Sequence, residues 1–277
     1  MATEGRVRVS LGGVPETLLW TLYHRAAEAR RGDAVLEDPL AVELVERIDY
    51  PFAERFGSGG FGQWQALRAR CFDDAVRRFL QRHPDGSVVA LGEGLETQFW
   101  RVDNGRVHWL TVDVPETIEL RERLLPEDPR QRTFAGSALD EGWLHEVEAQ
   151  RGVLVTAQGL LMYFERADVH ALIARCAAHL PGAGLVFDAV PAWLSRRTRE
   201  RPLKTAEGYQ PPPWLWGMDP AEERAVAALP GVAELRALRL PDGRGLVHGL
   251  VLPALARLDP ARRLMLSVFS ARFADRA

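Results

Sequence analysis

A chain of 277 residues, 47% hydrophobic and 26% charged, can build one large α/β domain or a domain with a cap. Its net charge of −3 gives no electrostatic reason to expect a nucleic-acid or anionic-membrane partner. Cys71 and Cys176 lack metal-ligand spacing and read as buried free thiols, so no metal site is expected; no apolar run approaches the ~18 residues of a membrane span. With no secretory hydrophobic region at its start, the chain is expected to be cytoplasmic.

Residues 1–14 are polar, contain Gly12 and Gly13, and read as frayed. Pro15-Glu16 opens a helix, with proline in the first turn and an acid at the positive end of the dipole; Leu18, Leu19, Leu22 and Ala26 share one face. Asp38-Pro39 starts a second helix, with Leu40, Leu44, Val45 and Ile48 spaced for burial. After a break at Ser58-Gly59-Gly60, a longer amphipathic helix runs from Trp64 to about Arg82. Residues 1–85 are therefore expected to form an all-helical amino-terminal cap. From Ser87 the pattern alternates. Strands are expected at 87–91, 107–112, 132–135, 152–157 and 184–188, with helices at about 95–102, 115–124, 142–150 and 166–180. That alternation predicts a parallel sheet with helices on both faces. Glu234–Leu240 and Leu246–Leu252 flank a Pro-Asp-Gly-Arg-Gly turn and read as an antiparallel hairpin, with 253–277 as a helix or mixed tail. Residues 86–277 would form one core, interrupted at about 190–230. The insertion carries Trp193, Tyr209, Trp214 and Trp216 and reads as a lid over a ligand or as a long packed connection.

The stretch from Ser87 to Pro115 carries the most chemistry. An apolar run stops at Gly92-Glu93-Gly94, and a second ends on Asp113, 21 residues after Gly92. Glycines there let backbone approach a ligand, and the acid is placed to accept hydrogen bonds from a ribose diol. Thr97 stands where a dinucleotide fingerprint has its third glycine, and Lys204, the only lysine, supplies no Tyr-Lys pair. Both features disfavour a nicotinamide oxidoreductase and leave a nucleoside ligand without a pyrophosphate. The same pattern also fits an ordinary βαβ turn with no ligand.

Four stretches in this order carry a resemblance: PETLLWTLYHRA (15–26) with DPLA (38–41), LRARCFDDAV (67–76), VVALGEGLETQFWRVD (88–103) with VDVPETIELR (112–121), and QGLLMYF (158–164). The chain resembles the leucine carboxyl methyltransferase superfamily, in the bacterial polyketide-synthesis O-methyltransferase branch typified by the tetracenomycin carboxyl methyltransferase. The resemblance implies a class I S-adenosyl-L-methionine (SAM)-dependent methyltransferase, with a Rossmann-like seven-stranded sheet, a helical cap and an inserted lid. It further implies O-methyl transfer to a carboxylate or hydroxyl of a small, aromatic or polyketide-like acceptor. Residue by residue, it puts Arg68 on the methionine carboxylate of SAM, where a guanidinium fork suits the charge. Gly92 and Gly94 would face the methionine and ribose, Asp113 and the following Val114 the ribose, and Ser137-Ala138-Leu139-Asp140 the adenine, with Leu139 as its apolar contact. Gln158 would meet the methionine amino group. Arg25 and Thr17 match positions facing the active site, Tyr163 would line the acceptor side, and His24 is the one histidine to test as a base. Taken alone, Arg68 equally fits a surface arginine, 137–140 a plain loop, and Tyr163 a core aromatic.

Three departures stand out. The branch commonly has GAGLDTR where this chain has an extra acid, Glu93, and Gln98 in place of arginine; Gln158 replaces a glutamate. Glu93 would sit near the methionine carboxylate, where like charges repel. These changes motivate an alternative: a methyltransferase-fold protein that has lost methyl transfer and serves as a rearrangement catalyst or a binding or scaffold subunit. Otherwise catalysis is expected to rest on positioning and desolvation. Oligomeric state, monomer or homodimer, is left open.

Overall fold

The computed structural model describes residues 5–58, 62–205, 208–256 and 263–276. The amino-terminal cap comprises β1 (Val7–Arg8), α1 (Thr17–Ala29), α2 (Pro39–Arg47), β2 (Ile48–Asp49), α3 (Phe52–Phe56) and α4 (Gly62–Arg82). Proline fixes the first turn of α2, and the Asp38 side chain caps it by accepting the Ala41 N–H at 3.1 Å. Leu18, Leu19, Leu22 and Ala26 of α1 meet Ala41, Leu44, Phe52 and Phe56 in one apolar cluster. The expectation of an all-helical cap needs correction, because β1 and β2 pair in parallel, Val7 with Ile48. Two-residue strands are too short for period-2 alternation to register in a sequence.

The core contains β3 (Ser87–Leu91), α5 (Gln98–Val102), β4 (His108–Asp113), α6 (Pro115–Leu124), β5 (Gln131–Ala135), β6 (Val153–Ala157), α7 (Arg166–His179), β7 (Gly184–Ala189), α8 (Ala192–Glu200), α9 (Pro220–Ala227), β8 (Val232–Leu238), α10 (Leu252–Ala256) and β9 (Ser267–Phe273). Seven strands form a single sheet in the order β5-β4-β3-β6-β7-β9-β8; the first five are parallel, and β9 runs antiparallel between β7 and β8. This is the Rossmann-like class I arrangement. Every residue of β3 and β6 is buried, which is why both read as continuous apolar runs. Alternate β3 residues serve opposite faces: Val89 and Leu91 pack with Leu172, Ile173 and Cys176 of α7, and Val88 and Ala90 with Phe72, Val76 and Phe79 of α4. The chain winds outward from β3 to β5 and then returns to β6. Strand order therefore reverses between β3 and β6, where α/β sheets open a crevice at the carboxyl ends of their strands.

Two expectations near the end of the chain are overturned. Residues 246–252 are not a strand; Val247–Val251 form a π-helical turn leading into α10. Leu246, Val247, Leu250 and Val251 are spaced for a helix face, and all four are exposed. The strand that pairs antiparallel with β8 is β9, from the segment expected to be a tail. Its signal was present in the sequence, because Phe269, Ala271 and Phe273 alternate and are all buried. The stretch 142–150 is also not one helix but two 3₁₀ turns, Gly142–Glu146 and Ala149–Arg151. The 190–230 insertion is largely ordered packing. Leu215 and Trp216 donate backbone N–H bonds to the Met162 carbonyl, and Tyr209 is buried in the cap cluster. Both cysteines are buried and free, and burial pushes each thiol up to about 12. Among the described residues, no helix is long and apolar enough to cross a membrane.

Candidate active site

At the reversal point, a cleft of about 250 Å³ lies between the carboxyl ends of the strands and α1, which contributes Thr17, Leu18 and Thr21. Its floor is the turn after β3. Gly92 and Gly94 both have positive φ, 59° and 55°. A Cβ on Gly92 would come within 2.6 Å of the Leu160 side chain, and one on Gly94 within 2.9 Å of Leu18. Glycine is therefore required twice over, by backbone conformation and by space. Asp113, at the end of β4, faces this turn. Its Oδ2 accepts the Gly94 N–H at 2.7 Å, and its Oδ1 accepts the Val114 N–H at 2.8 Å. Two backbone donors leave lone pairs free on both oxygens for a ligand diol. Burial nevertheless pushes the Asp113 carboxyl above its ordinary range.

The other wall is built from α4, β6 and β7. Arg68 is nearly buried, not a surface arginine, and its Nη1 donates to Asp188 Oδ2 at 2.8 Å. Asp188, at the end of β7, also accepts the Gly159 N–H at 2.6 Å. Arg68 Nε is buried with no hydrogen-bond partner among the described residues. Gln158 follows β6 and lines the cleft; its Nε2 donates to Glu96 Oε2 at 2.9 Å, and its Oε1 is buried without a partner. Sequence reasoning missed Asp188 and Glu96. An acid closing the apolar run of β7 was the available signal for Asp188.

A buried ionic network starts at Glu96, which itself lines the cleft, and runs behind it. Glu96 pairs with Arg25 at 3.0 Å and Arg101 at 2.8 Å; Arg25 and Arg101 both reach Asp38, and Arg101 also holds Asp73 at 2.8 Å. The two arginines keep Glu96 ionised despite burial and hold its carboxyl down at about 2. Arg25 is 2% exposed, gives its remaining donor to the Leu95 carbonyl, and does not line the cleft. The expectation that it faces the active site is thus corrected: its guanidinium is wholly engaged in joining cap to core. His24 is likewise 1% exposed and packs edge-on against Trp20, outside the cleft, so it is not placed to act as a base there. Gln98 donates to Asp73 at 2.9 Å, and Arg101, one helical turn on, supplies the guanidinium that position 98 lacks. Glu93 pairs with Arg121 at 2.9 Å and also bonds Thr111 and Trp109. Its negative charge is matched inside the protein, even though burial pushes its pKa upward.

Gly136, Ser137 and Ala138 line the next part of the cleft. Asp140 accepts the Ser137 N–H at 2.8 Å and shapes this loop. Leu139 does not line the cleft; its side chain packs against the core, which corrects its expected contact role. Tyr163, with Phe164 and Leu160, closes the opposite end beside Thr17. Burial holds the Tyr163 phenol above its usual pKa, with Trp214 and Thr17 facing it. The tryptophans of the insertion are not cleft-lining: Trp193 is exposed, Trp216 donates to Glu222 at 2.8 Å, and Trp214 packs behind Tyr163 with Met162 and Val190.

Residues 19–177 match the leucine carboxyl methyltransferase family. The chain is 40% identical over 201 residues to the tetracenomycin polyketide synthesis O-methyltransferase TcmP of Streptomyces glaucescens, covering 72% of this chain and 74% of that one. It is 30% identical over 246 residues to the S-adenosyl-L-methionine-dependent methyltransferase dpfgK of Gibberella zeae, covering 80% and 81%. Among solved structures, a putative S-adenosylmethionine-dependent methyltransferase from Listeria monocytogenes superposes with a TM-score of 0.50 at 13% identity, over 76% of this chain and 99% of that one. That likeness concerns the fold alone.

Proposed function

The chain belongs to the leucine carboxyl methyltransferase family and is a SAM-dependent methyltransferase; from that premise we propose that it methylates a carboxylate oxygen of a small, aromatic or polyketide-like acid. The cleft suits SAM on its own chemistry. Positive-φ glycines admit the ligand backbone-close, Asp113 has lone pairs for a ribose diol, and two buried orphan atoms, Gln158 Oε1 and Arg68 Nε, call for a ligand that donates and accepts. Val114, Ser137 and Ala138 would border the nucleoside. The aromatic or polyketide character of the acceptor rests on the printed function of the Streptomyces relative.

SAM, when bound, would supply a sulfonium-activated methyl group for transfer to the acceptor oxygen. The protein's part is to orient and to exclude water. Leu18 of the cap rests over Gly94, and Leu160 over Gly92, so both walls of the turn are apolar. Tyr163, kept as a neutral phenol by burial, is a hydrogen-bond donor for the acceptor and not a base.

The observation that carries the carboxylate over a hydroxyl is the state of the acids around the cleft. Glu96 is held ionised by two arginines, Glu93 is paired with Arg121, and Asp113 is engaged with backbone amides. Asp113 keeps lone pairs that the ribose diol would take and Glu93 an unpartnered Oε1, but no histidine lines the cleft among the described residues, and a carboxylate acceptor needs no base where a phenol, with a pKa near 10, does. The test is methyl transfer from labelled SAM to matched aromatic acids and phenols across pH 6–9. Transfer to the acids at a rate nearly independent of pH is expected. Transfer to phenols alone, rising about tenfold per pH unit, would overturn the carboxylate assignment.

A further inference from the structure

A side-chain amide has a donor end and an acceptor end, and a neighbour that can only accept decides which end is which. Gln158 has such a neighbour in Glu96, whose Oε2 takes the Nε2 proton at 2.9 Å. Arg25 lies 3.0 Å from that same oxygen and Arg101 2.8 Å from the other, so the carboxylate has no proton to give back. Turning the amide over would set oxygen against oxygen. Gln158 Oε1 is consequently the end left over, buried and unpartnered among the described residues. One residue along the chain, the Arg68 guanidinium sits over Gly159: a Cβ there would lie 3.1 Å from Nη1. Asp188 occupies Nη1, and the buried Nε–H is left unpartnered. An acceptor and a cationic donor thus stand side by side along Gln158-Gly159, complementary to an ammonium and a carboxylate carried on one carbon atom.

We infer that Glu96 is a positioning residue for the cofactor: it locks the Gln158 amide with its oxygen toward the ligand, so that Gln158 receives the ammonium, and Arg68 the carboxylate, of the methionine part of SAM. This rests on the SAM reading above. The chain thereby keeps an acceptor at position 158 without a carboxylate there, and the negative charge stands beside it on Glu96.

Two probes separate this role from a structural one. S-adenosylhomocysteine carries the amino-acid group, whereas 5′-methylthioadenosine shares the adenosine and thioether but lacks it. By calorimetry, Glu96→Gln and Gln158→Leu should each weaken S-adenosylhomocysteine about tenfold, the worth of one hydrogen bond to a charged group, and leave methylthioadenosine unchanged. The double variant should bind no more weakly than Gln158→Leu, because Glu96 acts through Gln158. Equal losses for both ligands, or independent losses that add in the double variant, would overturn the inference. Should Glu96→Gln not fold, the desamino analogue of S-adenosylhomocysteine tests the amide's polarity in Gln158→Leu. That variant should bind the analogue as the wild type does, and a loss equal to that for S-adenosylhomocysteine would contradict it. Failure of the wild type to bind S-adenosylhomocysteine defeats the cofactor reading itself, whereas wild-type binding unaltered by the variants defeats only the role of Glu96.

Discussion

Gly92 turns the chain out of β3 with φ +59° against the Leu160 side chain, so even one methyl group there meets both strain and contact. Gly92→Ala should lower stability by about 1–2 kcal/mol and weaken S-adenosylhomocysteine binding as Leu160 is pushed aside. A denaturant titration and a calorimetric titration read the two effects. Arg121 is the more sensitive position. It neutralises buried Glu93 at 2.9 Å and donates to the Gly94 carbonyl at 2.5 Å. Arg121→Leu should cost about 3–5 kcal/mol by leaving a buried charge unpaired. Replacing Glu93 by Gln in the same chain should recover part of that loss. These contacts also explain what was legible here. Gly92, Gly94 and Asp113 shape the cleft through backbone and a strand end, which local pattern reveals. Arg25 could not be read correctly, because its partners Asp38 and Glu96 lie 13 and 71 positions away, and sequence does not say which face of α1 meets them. Leu139 was misread for the same reason: its position was evident and the direction of its side chain was not.

Parallel strands buried on both faces were legible nearly to the residue, since β3, β4, β6 and β7 have no solvent side to dilute their apolar runs. β9 alternates as a strand should, Phe269, Ala271 and Phe273 inward with Ser270 and Arg272 between them, but it lies far from β8 in sequence, so no turn marks the two as partners. The insertion was legible as aromatic but not as packed. Its anchor is Glu222 on α9, which accepts from Trp216 at 2.8 Å and Arg166 at 2.7 Å and contacts His170 at 2.6 Å. These donors, set against the cost of burial, hold the Glu222 carboxyl below its usual range. Glu222→Ala should therefore loosen the segment that crosses Met162. Hydrogen exchange of the Leu215 and Trp216 amides should accelerate well before global unfolding, and unchanged protection would show that apolar packing alone holds the segment.

Cap and core share one buried network of charges and one apolar cluster. Arg25 and Asp38 come from the cap, Asp73 from α4, and Glu96 and Arg101 from the turn after β3 and α5; together they form one buried network of charges. Leu120 and Leu124 of α6 complete the same apolar cluster as α1 and α2. Thermal unfolding should be a single transition with equal calorimetric and van't Hoff enthalpies, and two resolved transitions would contradict the shared core. The network also fixes a direction for acid sensitivity. Glu96 titrates at about 2 when folded against 4.5 in its ordinary state, so its stabilisation is complete above pH 4.5 and is lost as pH falls toward 2. Glu96→Gln should flatten the stability profile across that window.

Asp113 holds the glycine turn through the Gly94 N–H, and the proposed ribose contact makes it the residue on which the SAM assignment of this cleft turns. Titration of S-adenosylhomocysteine into the wild type and Asp113→Ala is the decisive comparison. One molecule bound per wild-type chain, with affinity at least tenfold weaker in the variant and the fold intact by circular dichroism, is the predicted result. Equal affinity in the two proteins, or no binding to either, would contradict the assignment of this cleft as the SAM site.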